Sequence, residues 1–339
     1  MKKLKTTISL LVVSIGVMSS ALQAKVSSNE AALLGTSLTP IGAEVAGNEA
    51  GTIPAWTGGL NSKNTTKSKD SGRPDNPFPD EKALFVITNE NLEQYKANLS
   101  DGQLAMFKKY ADYKMPVYQT RRTAAYPQNL YEIAKTNATT AELVDGGNGL
   151  KNFSITVPFP IPKNGAEIIW NHLTRYRGGA AERFLVTVPV QKDGSFTAVN
   201  MNDKLVWPDF LVSGRDAVKD DNVLFYYLQQ ITAPARLTGT ALLLHETLDQ
   251  VKEARRAWVY NAGQRRVRRA PNVAYDSPGA GTDGLRASDN YDMYNGAPDR
   301  YNWKLVGKKE LYIPYNAYKL LDTSAKYESI VKEGHLNSE

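Results

Sequence analysis

The sequence predicts an α+β protein in which helices precede an antiparallel β-sheet whose strands are apolar on both faces. Three observations carry this. Apolar residues keep helical spacing between residues 88 and 142, and strand-like alternation takes over after the break Asp145-Gly146-Gly147-Asn148-Gly149, interrupted by one helix. Residues 223–231 and 237–247 are apolar on both sides: Phe225 and Tyr227 oppose Leu224, Tyr226 and Leu228, while Leu242 and Leu244 oppose Ala241 and Leu243. Residues 258–269 read as a hairpin, with an aromatic first strand, a polar turn containing Gly263, and a second strand that alternates arginine with Val267. An antiparallel sheet wetted on one face alternates strictly. Here something apolar should lie on both sides, either helices over one face and a cavity over the other, or a second sheet.

Residues 1–24 have the make-up of a cleavable export signal. Lys2, Lys3 and Lys5 precede an apolar run at 8–18, and small residues lead to cleavage after Ala24 or Ala21. The run is short of the roughly 20 apolar residues of a membrane span, so no stable membrane insertion is expected. The formal charge of +6 includes those three lysines; the remainder has 38 basic and 35 acidic residues, or +3. That balance and an exported location argue against a nucleic-acid partner. The chain has no cysteine, hence no disulfide, no thiol nucleophile and no lipid-anchoring thiol. The expected compartment is the periplasm of a Gram-negative cell.

Residues 25–82 are rich in Gly, Pro, Ser, Thr, Asn and Lys and predict an irregular arm pinned by Ile53 and Trp56. Residues 83–339 are expected to form one α+β domain. Thr88 or Asn89 can cap a helix with Leu92, Tyr95 and Leu99 on one face, and Ser100-x-x-Gln103 is a capping box that restarts it. Pro127 opens a helix carrying Leu130, Ile133 and Ala134, and Thr139-x-x-Glu142 caps a short third one. Residues 153–157 alternate like a strand stopped by Pro158, and 165–177 predict a helix ended by Gly178-Gly179. A hairpin is expected from 183–190 and 195–199 about Lys192-Asp193-Gly194. After the 258–269 hairpin a loop runs to Tyr301, and 303–314 regain strand character.

Sites for chemistry are sparse. His172, His245 and His335 are scattered, and His245-Glu246 lacks the second histidine of a helical zinc motif. There is no G-x-S-x-G elbow and no P-loop. Gly279-Ala280-Gly281-Thr282-Asp283-Gly284 follows Pro278 rather than an apolar strand, which removes the dinucleotide reading. Asp283, Asp289, Asp292 and Asp299 match no EF-hand spacing. No catalytic residue, metal or cofactor is therefore expected. If the hairpin turn is Asn261 to Gln264, Tyr260 faces Arg265 and Trp258 faces Val267, sharing a face with Arg269, while Arg266 and Arg268 lie on the other. These arginines form either a solvated strand face or a basic rim that grips phosphate or carboxylate head groups.

Four stretches together resemble one family. They are residues 38–59, Trp170-Asn171-His172-Leu173-Thr174-Arg175-Tyr176-Arg177-Gly178, Arg265-Arg266-Val267-Arg268-Arg269-Ala270-Pro271-Asn272, and Ser288-Asp289-x-Tyr291-Asp292-Met293-Tyr294-Asn295-Gly296-Ala297-Pro298-Asp299-Arg300-Tyr301. They are similar to the DUF1329 family of exported Gram-negative proteins, often described as similar to outer-membrane lipoprotein-sorting proteins. The hairpin alone also resembles proteins with the LolA/LolB-like fold. That resemblance implies a curved, incomplete antiparallel barrel whose apolar cavity is covered by helices and holds acyl chains. It carries no catalytic residue onto this chain, and it suggests an RND-type exporter as a partner. Members of the family continue past the equivalent of His335, so the resemblance implies that the last strands are missing here.

The expectation is a periplasmic, non-enzymatic carrier of a lipid or other hydrophobic ligand, linked to envelope lipid or lipoprotein trafficking. Phe225, Tyr227, Leu242, Leu244, Trp258 and Tyr260 would line its cavity. Arg265, Arg266, Arg268 and Arg269 would meet a head group or a partner. The alternative is a structural adaptor between an inner-membrane exporter and the outer membrane.

Overall fold

Side chains, more than regular structure, hold the first third of the chain in place. The computed structural model describes residues 25–61, 63–65, 75–211, 222–270, 273, 275–321 and 325–326; the expected export signal lies outside them, as do Pro271, Asn272 and His335. The arm is irregular except for α1 (Ser28–Ala31), which Ser27 and Glu30 close in a reciprocal capping box. Arg122 gathers the rest. Its guanidinium donates to the carbonyls of Glu44, Val45, Ala46 and Pro54, acceptors an irregular segment would otherwise leave to water. Trp56 donates from Nε1 to the Ala124 carbonyl at 3.0 Å and sets its ring edge-on to Tyr131. Val26, Ala31 and Leu34 are buried with Ala138.

β1 (Phe85–Ile87) and β2 (Met115–Val117) form a small antiparallel sheet. The helix expected over Leu92 to Leu99 is instead a pair of 3-10 turns, Leu92–Gln94 and Lys96–Asn98. Asn91 ties the chain back to Thr88 and Val86, and Tyr95 stacks on Phe85 at 4.9 Å, so the segment is held too close to β1 to run as a helix. The Ser100 and Gln103 capping box does form, and opens α2 (Asp101–Lys109). α3 (Gln128–Thr140) begins directly after Pro127, and the short third helix expected from Thr139 does not form, because the chain passes from Ala141 into a strand at Glu142. Thr139 caps nothing; its hydroxyl donates back to the Thr136 carbonyl. The glycine break is the turn of a hairpin, β3 (Glu142–Val144) with β4 (Gly149–Lys151), where Gly146 and Gly147 take φ of 69° and 98°.

No strand forms at 153–157, because side chains take the backbone groups a neighbouring strand would need. Asn137, buried in α3, bonds Ser154 through both N–H and carbonyl and also reaches the Val157 carbonyl. The Thr174 hydroxyl donates to the carbonyls of Thr156 and Trp170, and α4 (Gly165–Leu173) ends there, short of residue 177. Gly165 is required at its start, since a Cβ would lie 2.4 Å from the Trp303 carbonyl carbon. Residues 303–314 form no strand either. Trp303 packs on Tyr294 and Tyr301, while Tyr312 bonds the Asn98 carbonyl and meets Phe85 and Tyr95. This segment bridges α4 and the small β1–β2 sheet.

The main sheet is a six-stranded antiparallel meander: β5 (Ala180–Thr187), β6 (Val199–Val206), β7 (Val223–Ala233), β8 (Ala241–Thr247), β9 (Arg256–Asn261) and β10 (Arg266–Arg269). Among the described strands β5 and β10 are its free edges, so the sheet is open and not closed into a barrel. The expected 183–199 hairpin is present with its turn at Lys192 to Gly194, but β5 starts at Ala180 and β6 begins only at Val199. Register shifts at Asn200/Met201 and Val223/Phe225 mark irregularities in the ladder.

One face of this sheet is covered. Leu205, Phe225 and Leu244 join Ile155, Trp207 and Leu224 in one buried cluster, and Val199, Met201 and Ile231 form another. α4 packs over the first through Trp170 and Leu173. The opposite face has no such cover among the described residues: Phe184 is 69% exposed, Leu228 41%, Leu243 39% and Val267 63%. The two-sided apolar pattern is real, but among the described residues only one of the two faces is covered.

Candidate ligand-binding face of the sheet

Register assigns the open face residue by residue. In antiparallel pairs, partners directly opposite point to the same side. One row therefore runs Glu182, Lys204, Leu228, Leu243, Trp258, Arg269 from β5 to β10. A second runs Phe184, Asn202, Gln230, Ala241, Tyr260, Val267. A third joins Val206, Tyr226, His245 and Arg256. His245 sits edge-on between Tyr226 at 4.7 Å and Trp258 at 5.0 Å, which fixes the Trp258 ring beside Leu243. The result is an apolar strip, Leu228, Leu243 and Trp258, with Phe184 and Val267 at its flanks. Lys204 and Arg269 close the Leu228–Trp258 row at its two ends.

The six candidate lining residues do not share a face. Trp258 and Tyr260 are on the open side. Phe225, Tyr227, Leu242 and Leu244 are on the covered side, where Phe225 and Leu244 are each 7% exposed and part of the packed core. The cavity between them and α4 has a volume of about 10 Å³, enough for one water. An acyl chain has no room there. The split follows from the period of 2: Trp258 pairs with Leu243 and Leu243 with Leu228, so Trp258 shares the side of Leu228, while Phe225, three residues before Leu228, points to the other.

The candidate arginines divide similarly. The turn of the β9–β10 hairpin is Ala262 to Arg265, and Asn261 pairs with Arg266. Tyr260 thus faces Val267 and Trp258 faces Arg269, a shift of two from the expected register that leaves the assignment of faces unchanged. Arg265 is the exception, because it lies in the turn with φ of 53°. All of β10 is exposed; Arg269 points to the open side, Arg266 and Arg268 to the other.

The covered face holds something the sequence reading missed. Asp203, fully buried, accepts from Arg183 at 3.0 Å, and its presence together with burial pushes the Tyr227 hydroxyl well up. Glu246 and Arg255 form a second pair at 2.7 Å, with side chains 3% and 1% exposed. Burial raises the Glu246 carboxyl and Arg255 opposes that rise. Arg255 also donates to the carbonyls of Val273 and Asn295, which draws the loop after β10 over the sheet. Arg175 and Arg177 both pair with Asp292. His172 Nε2 lies 2.9 and 3.1 Å from the carbonyls of Asp292 and Tyr294, so it carries the proton and donates. Desolvation and the neighbouring Arg175 hold its pKa below the usual 6.5. These residues come from two of the stretches quoted for the family resemblance. The signal was present, but the contact spans 117 residues and has no local spacing rule.

Among the described residues no group of three or more His, Cys, Asp or Glu side chains could hold a metal ion. No described helix is long and apolar enough to cross a membrane.

An open antiparallel sheet joined to α4 by the loop at Ser288 to Tyr301 describes a class of α+β fold, and comparison of the chain with known proteins defines it further. The chain belongs to the DUF1329 family: the family's model, described as a protein of unknown function, matches residues 86–339. It is 56% identical over 340 residues to uncharacterized protein PA3922 of Pseudomonas aeruginosa, an alignment covering 99% of this chain and 74% of that one. A solved domain from Vibrio parahaemolyticus described as an outer membrane lipoprotein-sorting protein domain is 20% identical, with a TM-score of 0.26, over 36% of this chain and 47% of its own. That likeness is too slight to bear on fold or ligand.

Proposed function

We propose that this protein is a non-enzymatic periplasmic binder of an acylated, anionic amphiphile, and that the open face of the β5–β10 sheet receives it. The carrying observation is the row Leu228, Leu243, Trp258, an apolar strip left bare on a sheet whose other face is packed. Exposed contiguous apolar surface of this kind marks an interaction site. Arg269 at one end of the row suits an anionic head group, while Lys204 at the other is shared with Glu182 at 3.8 Å, and each methylene withdrawn from water contributes about 0.8 kcal/mol. Of the six residues expected to line one cavity, this reading keeps Trp258 and Tyr260 and leaves Phe225, Tyr227, Leu242 and Leu244 to the covered side. A role in envelope lipid or lipoprotein trafficking follows from the same chemistry.

Titration of delipidated protein with short-chain phosphatidylglycerol tests the reading. Leu243→Asp should weaken binding about tenfold or more while leaving the fold intact. No saturable response to any phospholipid, fatty acid or lipopeptide would sink it.

The exposed edge strand β10 favours a second reading, a structural adaptor for an RND-type exporter, because a free strand edge is a template for a protein partner. Arg266→Glu with Arg268→Glu should then abolish co-purification of the exporter, and unchanged recovery would count against it.

A further inference from the structure

Across the sheet from the apolar strip, four guanidinium groups converge on the Tyr291-Asp292 corner. Arg175 and Arg177 pair with the Asp292 carboxylate. Arg183, from β5, pairs with Asp203 and stands 6.0 Å from the centre of the Tyr291 ring. Arg286 stacks on the same ring at 4.9 Å. Two carboxylates, Asp203 and Asp292, face these four cations. The other buried acid nearby, Glu246, is matched by Arg255, and Asp289 is engaged by the Tyr301 hydroxyl. Four guanidinium groups thus stand against the two carboxylates of Asp203 and Asp292. Burial lowers the pKa of Arg177, with Arg175 and Arg183 adding to the fall and Asp292 opposing it, while at Arg183 burial is outweighed by Tyr291 and Asp203, which raise it.

Hydrogen-bonding groups of both kinds are left over: Asp203 Oδ1 is buried with no donor among the described residues, and two donors have no acceptor. The Nε atoms of Arg177 and Arg183 are buried and have no hydrogen-bond acceptor among the described residues. A buried donor without a partner costs about 1–3 kcal/mol, and more when charged, so native structures rarely keep two side by side without a use. Side chains of Arg183 and Asp292, 34% and 36% exposed, connect the cluster to solvent. The loop that delivers Asp292 holds it and Met293 at φ of 55° and 67°, an unfavourable pair of conformations for residues with side chains.

From this convergence we infer that Arg177 and Arg183, with Arg175, Arg286 and Tyr291 around them, form a binding site for an oxyanion of the phosphate type, separate from the apolar strip. Guanidinium forks match tetrahedral and planar oxyanions through paired hydrogen bonds, and lysine cannot reproduce that fork. The site reads charge and oxygen geometry, so a free phosphate and the phosphate of a lipid head group satisfy the same donors.

Isothermal titration of the full chain with inorganic phosphate, and separately with dihexanoyl phosphatidic acid below its micelle concentration, tests this. Saturable one-to-one binding is expected, weakening as sodium chloride is raised because the Arg183 and Asp292 side chains are about a third exposed. Arg177→Lys and Arg183→Lys should each weaken it about tenfold or more, while Arg269→Gln on the opposite face leaves it unchanged. Binding of inorganic phosphate identifies a free oxyanion as sufficient; binding of the lipid alone identifies a head group. Hydrogen exchange on the unmutated protein should slow at Arg183 and Tyr291 to Tyr294 when the ligand is added, a readout that stands if either variant fails to fold. Absence of binding by both probes, equal loss in Arg269→Gln, or binding without protection of that corner would overturn the site. Failure of the apolar-strip reading would show instead as an unaltered response to Leu243→Asp, so the two proposals fail separately.

Discussion

The two faces of the β5–β10 sheet invert the usual arrangement. Along β7 and β8 the residues alternate between Phe225, Tyr227, Leu244 and Glu246 on one side and Tyr226, Leu228, Leu243 and His245 on the other. Both rows are apolar enough for a core. Yet the covered face contains the ion pairs Arg183–Asp203 and Glu246–Arg255, whereas the open face presents leucine, tryptophan and phenylalanine to water. Which face is the core is thus decided by the neighbours available, α4 and the Ser288–Tyr301 corner, and not by the hydropathy of the strands. Polar groups on the covered face serve as its fasteners, because each ties a loop or strand to the sheet.

Four measurements bear on that contrast, in decreasing order of effect. Arg255→Met leaves Glu246 charged and alone in a dry site and should cost about 3–5 kcal/mol in urea unfolding; a loss under about 1 kcal/mol would mean that water reaches the pair. Leu244→Ala should cost about 2–5 kcal/mol, while Leu243→Ala, one residue away on the open face, should stay within about 1 kcal/mol. Equal losses would abolish the distinction between the faces. His172 supplies a pH test. Its folded-state pKa lies below the ordinary 6.5, so the unfolded chain takes up the proton first. Stability should fall as pH drops through 6.5 and continue falling to the folded pKa, and His172→Gln should flatten that segment of the curve. The smallest effect belongs to Arg269→Gln, which should leave stability within about 0.5 kcal/mol but reduce the preference of the strip for anionic over neutral amphiphiles.

Local signals in the sequence were read correctly where local chemistry decides the outcome. Ser100 and Gln103 form their capping box because three residues suffice to make it. Strands β7 to β10 follow from alternation and turn residues, and the parity of the 258–269 hairpin survived an error of two in its turn. Failures came where a distant partner intervened. Residues 153–157 alternate like a strand, but Asn137 and Thr174 claim their backbone. Residues 303–314 do likewise, and aromatic contacts with Tyr294 and Tyr95 hold them elsewhere. The lining of a single cavity by Phe225 and Trp258 was inferred from composition, which cannot separate two apolar faces. Arg175, Arg177, Arg183, Asp203 and Asp292 meet only through the fold, so no spacing announced them.

Arg122 has a consequence for the order in which the chain is assembled. A polypeptide is made from its N-terminus, so residues 44–54 appear before the groups that hold them. The donor that collects their carbonyls lies as many as 78 residues later. Lys308 and Glu310, which reach Glu44 and Asn48, come later still. Every one of these fastenings lies downstream of the segment it holds, so the place of the arm is set by residues made after it.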